Sequence, residues 1–426
     1  MRVIYNIAFC LFFWLSAPYY FLKMWRRGGW QSGFGERFAR YDDAFKAAFG
    51  DKPVLWLHAV SMGEVGVCLQ LIGALEKRLP AWQIVVTTTT STGMGELRKR
   101  LPAHIPRAYY PVDFPGNVRR AFDAIRPRAI VLVEAEIWPN FLWGAIDRSV
   151  PLFLVNARIS ERSFKGYRRA GFLFRPIFAK FRGVGCQQNE DARRLVELGF
   201  ASGAVRVTGN LKFDSAQSPP RAGLDARAFL ESLGVAAGAA VFVAGSTHAG
   251  EEALLAEMFL RLRARFPDLF FVLAPRHFER TKEVAAELTA RGVPFCLRTE
   301  PAPGKQCLLV NTNGELRFFY EAADVVFVGK SLTAEGGQNP IEPAALGKTV
   351  VFGPNMQNFR PIVRAYLAEN AVIQVGDASQ LEQTLAELLA DPARRAALGA
   401  RARAVTQKNL GATDRSVDFI LSALGK

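Results

Sequence analysis

The chain has 426 residues, half of them apolar and 22% charged, with 36 glycines and 23 prolines. These proportions exclude a disordered, collagen-like or low-complexity chain, and the length exceeds what one core commonly serves, so two domains are expected. The formal net charge is +15, and nearly all of it lies in the front half: residues 1–214 carry 31 Lys and Arg against 17 Asp and Glu, residues 215–426 carry 23 against 22. This asymmetry points to an acidic partner for the front half (phospholipid, phosphorylated substrate or nucleic acid), with plain solubility as the alternative. The five cysteines are scattered without a CxxC pair, so no disulfide framework is expected, in keeping with the cytosol. The four histidines form neither HExxH nor a Cys/His cluster, so no metal site is expected.

Residues 3–22, VIYNIAFCLFFWLSAPYYFL, carry no charge. Twenty helical residues span ~30 Å, the thickness of the hydrocarbon core. Arg2 precedes the segment, and Lys23, Arg26 and Arg27 follow it. More positive charge behind than before predicts that the body stays on the cytoplasmic side. Trp14, Tyr19, Tyr20, Trp25 and Trp30 suit the headgroup layer. No A-x-A-like cleavage site follows, so an uncleaved anchor is expected, either spanning or lying in the interface. Pro18 leaves a third arrangement open, a buried helix packed on the first domain.

Beyond residue 50, apolar runs alternate with helical patterns. VLWLHAV (54–60), IVVTTTT (84–90), AIVLVEAE (129–136) and LFLVNAR (152–158) read as strands with helices between them. The β-α-β-α order implies a parallel sheet covered by helices. The stretch GNLKFDSAQSPPRAG (209–223) is polar with paired prolines and reads as an interdomain connection. The pattern then restarts with AAVFVAGS (239–246), LFFVLAPRH (269–277), CLLVN (307–311), DVVFVGKS (324–331) and TVVFGP (349–354), and a helical tail runs from about 381 to the end. The reading is two doubly wound α/β domains. Ligands in such sheets sit at the carboxyl ends of the strands, and two such edges can face each other across a cleft.

GKS at 329–331 is no Walker A motif, because Asp324 stands where the first glycine would be, and no GxGxxG follows a strand. In HAVSMGE (58–64), Glu64 falls at a helix start. It reads either as a capping carboxylate or as a general base for an acceptor hydroxyl. In EAEIWPN (134–140), Glu134 and Glu136 share one strand face at the mouth of a site, or bind nearby arginines. Four loops follow strands in the second half. AGSTHAGEE (244–252) offers Ser246 and Thr247 with helix amides to a phosphate. APRHFER (274–280) sets Arg276 and His277 just past a strand, where a guanidinium suits a phosphate or carboxylate. NTNGELRFFY (311–320) puts Gly314 and Glu315 at a helix start. EGGQNPIEPAALG (335–347) begins a helix near Pro340, with Glu342 in its first turn and able to accept from ribose hydroxyls.

In this order, HAVSMGE, TTTTSTG, EAEIWPN, NARISERS, GNLKFD, APRHFER and GGQNPIEPAALG resemble the bacterial Kdo transferases, which move 3-deoxy-D-manno-octulosonic acid (Kdo) onto lipid A precursors. The resemblance covers nearly the whole chain, the anchor included. It implies a GT-B fold, two Rossmann-like domains facing a cleft behind an N-terminal anchor. The implied organisation is anchor and basic flank over 1–30, acceptor domain over 31–212, connection over 213–222, and a donor domain for CMP-Kdo with the C-terminal helices over 223–426. It implies Glu64 as general base, with Glu136 and Lys212 supporting the transition state. On the donor side it implies Pro275, Arg276, Gly314, Glu315, Leu316, Asn339, Pro340, Ile341 and Glu342 around CMP; the reading of the loops adds Ser246, Thr247, His277, Lys330 and Ser331 beside them. No cofactor or metal is implied; CMP-Kdo is the donor substrate. The implied partners are a phosphorylated, acylated lipid A precursor and the membrane surface, with no nucleic acid, at the cytoplasmic side of the inner membrane. Arg158, Arg162, Lys165, Arg168 and Arg169 are candidate partners of the lipid phosphates, or a basic patch facing the membrane. Two departures stand out: Gln338 where the family often has His, and Lys330 where it often has Gly. A GT-B enzyme with a diphosphate donor and a non-catalytic nucleotide-sugar or lipid binder are the rival readings.

Overall fold

The computed structural model describes residues 1–26, 31–134, 137–217 and 223–426. The chain forms two compact units, one of residues Met1–Asp214 with Gly411–Lys426, the other of Ser215–Leu410.

In the first unit seven parallel strands form one sheet. They are β1 (Val54–His58), β2 (Gln83–Thr88), β3 (Arg107–Tyr109), β4 (Pro127–Val133), β5 (Leu152–Ala157), β6 (Gly183–Cys186) and β7 (Val205–Val207), in the order β3-β2-β1-β4-β5-β6-β7. Side chains alternate across a strand, and the two hydrophobic cores follow that alternation. Val54, Trp56, Ile130 and Leu132 enter one core; Leu55, Leu57, Val131 and Val133 enter the other. Both faces are thus covered, which explains the nearly continuous apolar runs in the sequence.

The N-terminal helix Arg2–Arg26 is long and apolar enough to cross a membrane, the one such helix among the described residues. It lies against the first unit by one face only. Arg2 makes two 2.7 Å hydrogen bonds to Asp147. Tyr5 Oη donates to Asp113 Oδ2 at 2.8 Å, and Asn140 Nδ2 donates to Asn6 Oδ1 at 2.7 Å. Phe9 packs edge-on against Phe114 and Trp138. The opposite face leaves Ile4, Leu11, Trp14 and Leu15 more than half exposed, so the buried-helix arrangement is not adopted. Arg27 and Trp30 lie outside the described residues.

The second unit repeats the architecture with β8 (Val241–Thr247), β9 (Phe270–Pro275), β10 (Phe295–Leu297), β11 (Cys307–Leu309), β12 (Val325–Val328), β13 (Thr349–Phe352) and β14 (Ile373–Gln374). Their order is β10-β11-β9-β8-β12-β13-β14, again seven parallel strands.

One boundary is corrected. The sequence reading gave the whole tail to the second domain, but Gly411–Lys426 belongs to the first unit. The helix Ala412–Leu424 buries Val417, Ile420 and Leu421 in the core that holds Leu71 and Leu75 of the helix Met62–Arg78. Asp214 fixes the return, accepting from Gly411 N at 2.7 Å and Thr413 N at 2.6 Å. An amphipathic helix settles where its apolar face finds cover, and proximity in sequence does not decide where that is. Of the expected connection, residues 218–222 lie outside the described residues.

Candidate active site

Parallel pairing puts every strand's carboxyl end at one edge of its sheet. At that edge of the first unit, β1 passes through Val60 to Ser61, the N-cap of the helix Met62–Arg78. Glu64 sits in its first turn. Oε2 accepts from Val60 N at 2.8 Å and Oε1 from Ser61 Oγ at 3.1 Å. Glu64 is therefore a capping residue, and the same two bonds set the position of its carboxylate. The Val60 carbonyl in turn accepts from Thr88 Oγ1 (3.0 Å), Thr90 Oγ1 (3.1 Å) and Thr90 N (3.3 Å). Thr90 Oγ1 also caps the next helix by accepting from Gly93 N at 3.0 Å. A Cβ on Gly93 would stand 2.4 Å from Thr88 Oγ1, so only glycine fits. The threonine run, read from sequence simply as strand, is the brace of the Glu64 turn.

β4 ends at Val133 because Glu134 takes φ +64°, a left-handed conformation that costs a non-glycine residue about 1–3 kcal/mol and collects at functional sites. Glu134 Oε1 accepts from Asn156 Nδ2 at 3.2 Å and stands 3.4 Å from Lys212 Nζ. Asn156, itself at φ +54° and fully buried, accepts from Leu211 N at 3.1 Å. The ends of β4 and β5 thus converge on the segment that carries Lys212. Lys212 pairs with Glu134; Glu136 lies outside the described residues.

In the second unit, Arg276 and His277 follow β9 directly, and Arg276 N donates to Thr247 O at 3.0 Å. The His277 ring meets His248 edge-on, centroids 5.7 Å apart. Burial lowers the His248 pKa, and the Lys330 charge pushes the same way. Ser246 and Lys330, beside the ends of β8 and β12, both adopt positive φ (57° and 56°). Asn339 Oδ1 accepts from Ile341 N at 3.0 Å, and Asn339 Nδ2 donates to Glu342 Oε1 at 3.3 Å. Burial raises the Glu342 pKa against the Asn339 hydrogen bond and the charges of Arg317 and Arg276. Arg276 and Glu342, 66 positions apart in SEQ numbering, are therefore electrostatic neighbours.

Other expected donor residues are engaged within the fold. Glu315 accepts from Arg298 Nη2 at 2.9 Å and from Thr312 Oγ1. Gly314 has φ +86°, and Leu316 opens the helix Leu316–Ala322. Pro340 and Ile341 are buried. Ser331 is fully buried; its hydroxyl donates to Val328 O at 2.6 Å and accepts from Gly353 N at 2.9 Å, holding the turn. Thr247 Oγ1 is buried without a hydrogen-bond partner among the described residues. The sequence reading passed over Arg317 and Glu251. Glu251 shows the one available signal, an acidic residue at the start of a helix; it also accepts from His248 N at 2.9 Å.

Two Rossmann-like units, each with its polar groups at the carboxyl edge, define a protein of the GT-B class, the fold of many glycosyltransferases and related nucleotide-sugar enzymes. A putative UDP-N-acetylglucosamine 2-epimerase from Listeria monocytogenes matches this fold with TM-score 0.59 at 14% identity, over 88% of this chain and 97% of its own. A glycosyltransferase from Rickettsia africae matches with TM-score 0.56 at 14% identity, over 88% and 99%. Residues 32–215 match the family model described as 3-deoxy-D-manno-octulosonic-acid transferase (kdotransferase). The 3-deoxy-D-manno-octulosonic acid transferase of Bordetella pertussis is 38% identical over 425 residues, 96% of this chain and 97% of that protein. Its counterpart in Haemophilus influenzae is 30% identical over 371 residues, 86% of each. The chain belongs to the Kdo transferase family of glycosyltransferases.

Proposed function

We propose that this protein moves Kdo from CMP-Kdo to a lipid A precursor by direct, inverting displacement. Glu64 takes the proton from the acceptor hydroxyl as that oxygen bonds to the anomeric carbon of Kdo. The bond from that carbon to the CMP phosphate oxygen breaks, and its electron pair leaves with CMP. Arg276 is the cation suited to the charge that develops on the departing phosphate; Lys330 is assigned to binding of the donor phosphate, and Lys212 to support of the transition state. The leaving group is a monophosphate, and the reading assigns no metal to the step.

The observation that carries the reading is the Glu64 turn: a carboxylate fixed by two donors at a strand's carboxyl end, on a loop braced by three further hydrogen bonds. A general base needs this kind of placement before anything else. The acceptor side is supported by the basic front half and by the exposed apolar face of the N-terminal helix. Arg162 and Arg169 are exposed on the helix Glu161–Arg169 and are the candidates for the lipid phosphates. The apolar face is assigned to the inner membrane at its cytoplasmic side.

Incubation with CMP-Kdo and a tetraacyl lipid A precursor, followed by mass spectrometry of the lipid, tests this. The lipid is expected to gain one or more Kdo units with or without chelator. Glu64→Gln is expected to lower turnover by about 10²–10⁴-fold. Near-normal turnover of that variant would remove Glu64 as the base, and loss of activity on chelation would remove the metal-free step. Stabilisation by UDP but not by CMP would replace the donor.

A further inference from the structure

Glu251 opens the helix Glu251–Arg265 and is fully buried. Its Oε2 accepts from His248 N (2.9 Å) and Lys330 N (2.7 Å), and its Oε1 from Ser331 N (2.9 Å) and Leu332 N (3.0 Å). A carboxylate offers about four acceptor positions, and here four backbone amides occupy them. Three of those amides, of Lys330, Ser331 and Leu332, come from the turn after β12. Successive amides of such a turn form a nest for an anion, the device that holds phosphate in nucleotide-binding loops. In this protein the anion in the nest is the chain's own carboxylate.

The arrangement leaves little freedom. A Cβ on Gly329 would lie 2.5 Å from Thr247 Cα. Gly337 N donates to Lys330 O at 3.0 Å, and Asn355 N to Ser331 O at 3.0 Å. Both turns that meet at Glu251 carry a non-glycine residue in the left-handed region, Ser246 and Lys330. Such residues persist only where the surroundings over-determine them.

We infer that Glu251 is a positioning residue of the donor site. It holds the Lys330 and His248 turns so that the Lys330 ammonium is presented to the donor phosphate. It also fills the amide nest, so the phosphate is read by side-chain cations instead of by backbone N–H groups. This inference rests on the CMP-Kdo reading above.

Glu251→Gln keeps the shape but turns an –NH₂ toward two amide donors, breaking about half of the contact. The dissociation constant for CMP and the KM for CMP-Kdo are expected to rise about tenfold, with kcat at saturating donor held within about twofold. Glu251→Asp, which keeps the charge, is expected to recover part of the loss. In a Lys330→Met background, Glu251→Gln is expected to add less than about a twofold further penalty, since the two act as one unit. Penalties that multiply overturn the inference, as does a kcat that falls with unchanged KM. Should Glu251→Gln fail to fold, hydrogen exchange on the wild type decides. Amides 330–332 are expected to exchange far more slowly than those of exposed loops, and fast exchange overturns the inference. Failure of the wild type to bind CMP removes the donor reading and this inference with it. CMP binding by the wild type together with multiplying penalties removes the inference alone.

Discussion

Replacing Lys330 by glycine is expected to move stability and donor affinity in opposite directions. Lys330 holds φ +56°. The left-handed region costs an L-residue about 1–2 kcal/mol relative to glycine. Glycine gives back about 0.5–1 kcal/mol through the greater freedom it loses on folding. The balance is a stabilisation of about 0.5–1 kcal/mol, or ~1–4 °C in melting temperature for a unit of this size. The variant also loses an ammonium group. A hydrogen bond to a charged partner contributes about 1.5–3 kcal/mol, so affinity for CMP is expected to fall about 10–100-fold. Ser246→Gly releases the same conformation (φ +57°) without removing a charge, so its melting temperature without CMP is the control for the strain argument. Thermal melts of the three proteins, each with and without CMP, give both quantities. A lower melting temperature for Lys330→Gly refutes the strain argument. Unchanged CMP affinity refutes the assignment of Lys330 to the phosphate.

Gly93→Ala would drive a methyl group against Thr88 Oγ1; it is expected to cost about 1–3 kcal/mol and to lower kcat by displacing the Glu64 turn. Urea titration together with turnover checks this, and a stable variant with full activity would contradict the bracing role. Burial pushes the Asp113 carboxyl up to about 7, despite hydrogen bonds from Tyr5, Asn140 N and Phe141 N. The folded state therefore binds the proton more tightly than the unfolded chain, whose Asp titrates near ~4. This contribution to stability is complete below ~4 and is lost as pH rises to about 7. Asp113→Asn is expected to remove that slope between pH 5 and 8, and a slope retained in the variant would count against it.

The central strands were legible because double-faced burial writes itself as continuous apolar runs such as VLWLH and AIVLV. β3, β6, β7, β10 and β14 were not. Each has two to four residues and lies at a sheet edge or, for β6, beside one, where a short strand leaves no long apolar run to read. The alternation also hid where β4 stops, since nothing local marks Glu134 as left-handed. Within the candidate site, the positions of Glu64 and Arg276 just past strands, and of Glu342 in the first turn of a helix, were readable; the chemistry assigned to them is the proposal above. Glu251 and the Thr88–Thr90 brace were not, because their function is to bond backbone groups distant in sequence. The reach of the first unit past residue 410 was invisible for a similar reason, as the face of the helix Ala412–Leu424 names no partner.

The two chain crossings bear on how the protein is made. The segment that completes the first unit's core, through Val417, Ile420 and Leu421, is translated only after all of the second unit. Until then the ribosome holds an open first unit, with part of the apolar surface around Leu71 and Leu75 lacking its cover and Asp214 lacking the Gly411 and Thr413 amides. The N-terminal helix emerges long before that. The order of synthesis therefore gives the exposed apolar face of the helix time to find its surroundings before the first unit closes. It also makes the segment Gly411–Lys426 the one that closes the first unit's core.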